Sequence, residues 1–416
     1  MQDNSENIKF ETIKKLVQTK FTPKNLENLS HLDSTSPPSV FIGSKLKYPN
    51  VNIGILSPLE RDKNAWLYDS EKYWANKNFE INEVVKLRKG LLNSRFRGVV
   101  KDARASNLSS KNNRFIEIAK QIALGNKPVD LEIDLKNKLN SEYKKDRILK
   151  PTGFKGSLKQ AKIIGNVKIE RQIEKVIDDN IKSSEALKQL YEKNIDEYKL
   201  NKILSVGVLG LKKNKKFVPT RWSITATDDT LGKNLIEQIK NYKCIENHEF
   251  FFGEFLGNCY LIMLFPDVWS YELFELYLPG SSWNPSKELK ASTNYEFYEG
   301  RKTYAEETAG GYYASRLPIL EYLNKNKRQA SVLVIRIETP SYWASLGVWV
   351  VRESVRKALH NPARKNKPMQ FDSRKEIIEA CKKISMIKYG YNPEKIIKKS
   401  VLLNTIKTQK KLGEWF

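Results

Sequence analysis

The chain has 416 residues, 40% hydrophobic and 29% charged, a globular composition with room for two or three packed domains. Lys and Arg number 73 against 48 Asp and Glu; the resulting formal charge of +25 favours polyanions, nucleic acid ahead of an anionic membrane surface. The longest apolar run, Tyr260 to Pro266, is strand-sized and far short of the ~20 residues that span a bilayer, so no membrane partner is expected.

Three cysteines, Cys244, Cys259 and Cys381, have no pairing spacing. They fit a reducing cytoplasm and exclude both a disulfide framework and a Cys-rich zinc module. Three His leave little from which to build a metal site, and no cofactor is expected. The opening Met1-Gln2-Asp3-Asn4 lacks the character of a secretory signal.

Residues 1–33 read as a polar lead-in. The string Ser34-Thr35-Ser36-Pro37-Pro38-Ser39 reads as a turn or linker, because each proline forces its predecessor into extended geometry. Short strands are expected at Val40 to Ile42 and Val51 to Leu56, then a helix from Glu83 to Leu92. From 101 to 200 the chain reads as charged and helix-rich. Two short helices around Asn194 would turn Leu187, Leu190, Leu200 and Leu204 inward, as a hairpin packed in the core rather than a helix-turn-helix. The lysines at 212–216 read as a hairpin tip.

Beyond 200 the chain is richer in aromatics. Strands are expected at Glu249 to Phe252, Cys259 to Phe265, Tyr271 to Leu278 and Ser331 to Ile337, and helices at 229–241, 312–325 and Leu346 to Leu359. The fold class is therefore α+β without regular βαβ alternation: a helical first half, a strand-rich central and C-terminal region, and a basic helical end. The expected divisions are 1–33, 34–200, 201–370, a basic segment 371–408, and a tail 409–416. Residues 374–416 carry 11 Lys and Arg against 4 Glu.

The chain ends Gln409-Lys410-Lys411-Leu412-Gly413-Glu414-Trp415-Phe416. A Gln, an aliphatic residue three positions on and two adjacent aromatics resemble the peptide that binds the DNA sliding clamp, PCNA. One tight helical turn from Leu412 puts Leu412, Trp415 and Phe416 on one side as an apolar plug, leaving Gln409 for a separate polar pocket. The plainer alternative is a tail that folds back on its own domain, since an exposed Trp-Phe pair must be covered by something.

Five further strings are similar to the archaeal Nre family of DNA-repair proteins. They are Ser36 to Gly43 (SPPSVFIG), Val218 to Thr230 (VPTRWSITATDDT), Leu278 to Pro285 (LPGSSWNP), Gly310 to Leu317 (GGYYASRL) and Leu346 to Trp349 (LGVW). The resemblance runs from about residue 34 to the end. It implies participation in DNA-damage repair and association with PCNA. Some members carry an amino-terminal four-cysteine module; here the first cysteine is Cys244, so DNA contact must come from elsewhere.

Three constellations invite a role in binding or chemistry. Gly310 and Gly311 before a helix would leave free N–H groups for a phosphate, with Arg316 close by and Tyr312 and Tyr313 stacking on a base; a plain entry turn with core tyrosines is the alternative. Asp228 and Asp229 are most simply N-caps of a helix entered from a strand at Arg221. Under an enzyme reading, a metal-dependent nuclease or base-acting enzyme, they would join Glu254 to hold Mg²⁺, but the acid spacing typical of a nuclease is missing. Arg352 and Arg356, one helical turn apart, head a candidate phosphate-tracking face with Lys357 and Arg364; Arg221 is a further candidate contact.

Overall fold

The computed structural model describes residues 30–104, 110–136, 139, 146–360, 362 and 367–408. The chain divides into two compact units, Met1–Thr230 and Leu231–Phe416, where the sequence reading placed its divide near 200. Both units combine helices with a mixed six-stranded sheet, the expected α+β class. No helix among the described residues is long and apolar enough to cross a membrane.

The first sheet is built from β1 (His31–Ser36), β2 (Val40–Ile42), β3 (Asn50–Ser57), β4 (Leu92–Val99), β5 (Val129–Leu135) and β6 (Lys155–Ile164), in the order β1-β5-β6-β4-β3-β2. All pairs are antiparallel except β4 with β6. The string expected to be a linker is thus partly a strand. Ser34, Thr35 and Ser36 pair with β5, and their hydroxyls are satisfied inside: Ser34 donates to Pro58 O at 2.5 Å, Ser36 to Leu56 O at 2.6 Å and Thr35 to Asp130 at 2.6 Å. Pro37 and Pro38 then end the strand as their missing N–H groups require.

The helices of this unit are α1 (Glu71–Asn76), α2 (Ile81–Lys89), α3 (Lys111–Leu124), α4 (Arg171–Asp178), α5 (Ser183–Glu192) and α6 (Glu197–Ser205). Helix α2 stops at Lys89 with Gly90 as its C-cap, the earlier of the two ends expected from the sequence (Gly90 or Asn93), and Leu92 begins β4. The α5–α6 hairpin is as expected, with Asn194 left-handed at φ +65° and Leu187, Leu190, Leu200 and Leu204 buried. Lys212–Asn214 is a single 3₁₀ turn, not a hairpin tip.

Asp69 is buried between three cations: Arg88 Nη1 at 2.6 Å, Lys202 Nζ at 2.7 Å and Lys150, which also reaches Glu71. Burial pushes the Asp69 carboxyl up, but Lys150, Lys202 and Arg88 together hold it well below the usual carboxylate range.

The unit boundary falls within α7 (Thr220–Ile239). The second sheet comprises β7 (His248–Phe255), β8 (Asn258–Phe265), β9 (Ser270–Tyr277), β10 (Lys290–Glu296), β11 (Ser331–Glu338) and β12 (Met369–Phe371), in the order β10-β9-β11-β8-β7-β12, with only β9 and β11 parallel. The β7–β8 hairpin closes on Leu256 and Gly257, both left-handed (φ +50° and +72°), the geometry of a two-residue turn between twisted strands.

One face of this sheet, including Cys259, Leu261, Met263, Leu333 and Ile335, forms a core with the last helices: α10 (Arg374–Tyr389), α11 (Glu394–Lys399) and α12 (Val401–Thr408). Helix α10 is bounded by a Ser373–Glu376 capping box and a left-handed Gly390. The opposite face carries α8 (Ala309–Asn326) and α9 (Trp349–Leu359). Gly253 lets α9 approach β7, since a Cβ there would lie 2.8 Å from Ala358 Cα.

Candidate functional site

Strand register in the second unit produces a buried polar cluster. Tyr260, Arg336 and Glu275 sit abreast on β8, β11 and β9, and the next row holds Asn258, Glu338 and Tyr277. Alternation along each strand turns all six toward the same face. Arg336 donates to Glu275 at 2.5 Å, to Glu338 at 3.0 Å, and twice to Asn258 Oδ1, at 3.0 and 2.6 Å. Tyr277 donates to Glu275 at 2.7 Å, and the Trp283 amide to Glu338 at 3.2 Å.

Charge in so dry a place is held by mutual pairing. Burial would lower the Arg336 pKa, but Glu275, Tyr260 and Glu338 raise it well above the ordinary value. Burial raises the Glu338 carboxyl despite its arginine partner. Burial likewise pushes the Tyr260 phenol far up, so it stays protonated, and among the described residues its hydroxyl has no hydrogen-bond partner. Since every member is buried, the cluster pins three strands and the segments around them rather than opening to solvent.

Those surrounding segments are specific. Gly311, in the first turn of α8, faces the Glu275 carboxylate so closely that a Cβ would lie 2.4 Å from Oε1. Arg316, a turn further on, pairs with buried Glu296 at 2.7 Å. Tyr271 and Ser315 hydroxyls meet at 2.6 Å. The loop after β9 turns through Gly280 (φ +79°), and Asn284 ties it by donating to Tyr277 O and Glu288 O. Leu346 N donates to the Tyr342 hydroxyl at 2.8 Å, and Trp349 Nε1 to Leu346 O at 2.8 Å.

Two family models cover nearly the whole chain. The one described as Archaeal Nre, N-terminal, matches residues 9–284, and Archaeal Nre, C-terminal, matches 296–415. The chain belongs to the archaeal Nre family. Among similar Nre proteins is the DNA repair protein NreA of Haloferax volcanii, 38% identical over 326 residues, 77% of this chain and 76% of that one. The DNA repair protein NreA of Archaeoglobus fulgidus is 36% identical over 362 residues, and NreB of the same organism, also called a DNA repair protein, 33% over 358, each match covering 86% of both chains. No solved structure gives a significant match.

The Nre strings sort by unit. In the first, Ser36 to Gly43 meets the start of α7, where Ile42 N donates to Thr220 Oγ1 at 2.9 Å. In the second, Leu278 to Pro285 and Gly310 to Leu317 both end on the Arg336 cluster, through Trp283 and Gly311 respectively.

Several expected site residues have other surroundings. Gly310 and Gly311 lie inside α8, not before it, and the Glu275 carboxylate already sits against this first turn. Tyr312 and Tyr313 are buried; Tyr312 packs edge-on against Tyr271, and the Tyr313 hydroxyl accepts the Ala305 amide, so neither ring is available to a base. Arg316 is buried with them. Asp228 and Asp229 do not cap a helix entered from a strand: α7 starts at Thr220, so both lie more than two turns inside it, Asp228 buried.

Glu254 is exposed on β7 and accepts the Cys259 thiol at 3.6 Å. Among the described residues no group of three or more His, Cys, Asp and Glu side chains is placed to hold a metal ion. Arg221 is partly exposed and pairs with Asp146 at 2.8 Å. Arg352 is buried, and Arg356 is engaged by Glu321 and Glu353 at 2.8 and 2.7 Å, so this pair does not form a free cationic face. Arg364, Gln409, Leu412, Trp415 and Phe416 lie outside the described residues.

Sequence reading missed the Arg336 cluster, whose members come from three separate strands, and the group of exposed rings Tyr295, Phe297, Tyr298 and Tyr304 at the end of β10 and in the segment after it. Four aromatics in ten residues without one aliphatic is the signal that marks the rings.

Proposed function

We propose that this chain is a DNA repair protein held at DNA by the sliding clamp PCNA, which it engages through Gln409, Leu412, Trp415 and Phe416. The observation that carries this reading is the spacing of those four residues. Leu412, Trp415 and Phe416 transfer from water to an apolar socket, each worth roughly 1.5–3 kcal/mol before ordering costs. A Kd of about micromolar follows once the cost of ordering a peptide on binding is subtracted. The names of the relatives and the charge of +25 support the placement at DNA.

The peptide follows a firmly seated helix. Glu272 of β9 accepts the Val401 and Leu402 amides, each at 3.1 Å, and the Ser400 hydroxyl at 2.5 Å, while Leu402 and Leu403 are buried. A carboxylate at a helix N-terminus satisfies free N–H groups and complements the dipole. The test is a clamp-coated biosensor exposed to full-length protein. Saturable binding that Trp415→Ala and Phe416→Ala each abolish supports the reading; binding unaffected by either refutes it.

A further inference from the structure

Charge is segregated across the first sheet. No Asp or Glu occurs in residues 34–59, 84–101 or 147–169, which hold 14 Lys and Arg, although acids make up 48 of the 416 residues. These segments supply β2, β3, β4 and β6, four strands that lie side by side, whereas the sheet's acids are confined to β1 and β5. Asp130 and Asp134 of β5 are engaged by Thr35 and His31, and Glu132 lies opposite Lys162. Of the 14 cations, Arg88 and Lys150 are drawn inward to Asp69.

Alternation along the strands sorts the side chains onto two faces. Ile53, Ile55 and Phe96 are buried on one, where the Phe96 ring lies 5.4 Å from that of Phe115 on α3. The other face carries Asn52 opposite Arg97, then Arg95 beside Ser157 of β6. Lys159 follows Ser157 in the direction that Arg97 takes from Arg95, because β4 and β6 are parallel. Arg97, Ser157 and Lys159 are exposed and Asn52 is half-buried; among the described residues neither Arg97 nor Lys159 pairs with an acid. The β2–β3 loop adds exposed Lys45 and Lys47 at the end of the sheet where Asn50 pairs with Val99, and exposed Lys101 follows β4.

The makeup of this face selects among anionic partners. A protein interface centres on aromatic and apolar side chains and is depleted in lysine. A membrane surface needs apolar side chains to insert, and no large hydrophobic residue of β2, β3, β4 or β6 is exposed. An unpaired strand needs stacking rings; Phe41 is half-buried, and exposed Tyr48 stands apart in the β2–β3 loop. Cations interleaved with Asn and Ser are the groups that meet phosphate oxygens of a helix whose bases stay paired. We propose that this face, with Arg97 and Lys159 at its centre and Asn52 and Ser157 beside them, binds the phosphate backbone of duplex DNA without sequence preference. The choice of DNA rests on the repair reading above; the segregation of charge is independent of it.

The experiment is fluorescence anisotropy of the full-length protein, without clamp, on a labelled DNA duplex over a series of salt concentrations. The Arg97→Ala, Lys159→Ala double variant is expected to bind roughly tenfold more weakly at low salt, with the log–log slope flattened by about 1.8, because each phosphate contact contributes about 0.9. Arg97→Lys with Lys159→Arg keeps both charges and the slope. Lys325→Ala with Lys383→Ala removes two exposed cations from the second unit and leaves affinity and slope unchanged, which separates this face from overall charge. Melting curves of these surface variants match the parent, so loss of folding does not imitate loss of contact. An unchanged slope in the double variant, an equal loss from the second-unit pair, or tighter binding to oligo-dT than to duplex overturns the proposal. So does binding to phosphatidylserine–phosphatidylcholine vesicles, lost in the double variant, by a protein that ignores the duplex. Leu412→Ala leaves duplex binding unchanged, so failure at the clamp and failure at this face are read separately.

Discussion

Glu272 lies in the middle of a sheet strand, yet its carboxylate accepts the Val401 amide 129 positions later in the chain, at 3.1 Å. That bond joins the sheet to the helix that precedes, in sequence, the peptide proposed to bind the clamp. Glu272→Ala removes the acceptor for two amides and one hydroxyl and is expected to cost about 1–3 kcal/mol. Hydrogen exchange at Leu402 and Leu403 should accelerate, whereas Glu272→Gln, which keeps one acceptor oxygen, should show a smaller change. Unaltered exchange in Glu272→Ala would show that the helix is seated by its leucines alone.

Arg336 is the shared partner of Glu275 and Glu338. Arg336→Met strands two buried carboxylates and is expected to destabilise the protein by about 3–5 kcal/mol in urea titrations. A loss below ~1 kcal/mol would show that water reaches the cluster after substitution.

Gly311→Ala should destabilise by roughly 1–3 kcal/mol, because the new Cβ meets the Glu275 carboxylate at the start of α8. Gly300→Ala makes a useful comparison: nothing lies within 4 Å of a Cβ there, so any cost reflects its left-handed backbone (φ +77°) rather than a collision.

Lys199 gives a pH test. Burial lowers its pKa to about 7, and its Nζ donates to Ala123 O at 2.9 Å and to Gly125 O. Between pH 7 and the ordinary lysine range the unfolded chain binds a proton that the folded one does not, so this group makes stability rise with pH across that window. Below pH 7 both states are protonated and the contribution is flat. Urea midpoints measured from pH 7 to 10 should show the rise, and Lys199→Met should remove it; the same slope in the variant would assign the effect to another group.

Arg356→Ala should leave the salt dependence of DNA affinity unchanged, because its guanidinium is engaged by Glu321 and Glu353. A flattened log–log slope would mean that these pairs open on DNA.

The legible parts of the fold were those where apolar residues carry the period. Phe250 to Phe252, Cys259 to Phe265 and Ser331 to Ile337 read as strands because their side chains are nearly all buried. The strand Val129–Leu135 alternates strictly, yet lies among lysine-rich segments that suggested helices. The edge strand Lys290–Glu296 has almost no apolar residue to betray it. The second half of α7 was legible as a helix at 229–241, but its start at Arg221 was taken for a strand because the buried positions there include Ser223, Thr227 and Asp228, polar residues that a hydrophobic pattern does not register. The site divides similarly: the glycines and tyrosines at 310–313 drew notice by type, but their burial depends on Glu275 and Tyr271, contributed from elsewhere in the chain.

Recruitment by the clamp is tested most directly by isothermal calorimetry of the full-length protein with the purified ring. One chain should bind per clamp subunit with a Kd of about micromolar, and a Leu412→Ala, Trp415→Ala, Phe416→Ala variant should give no heat of binding. Absence of heat with the parent chain, or equal heat from the triple variant, would contradict it.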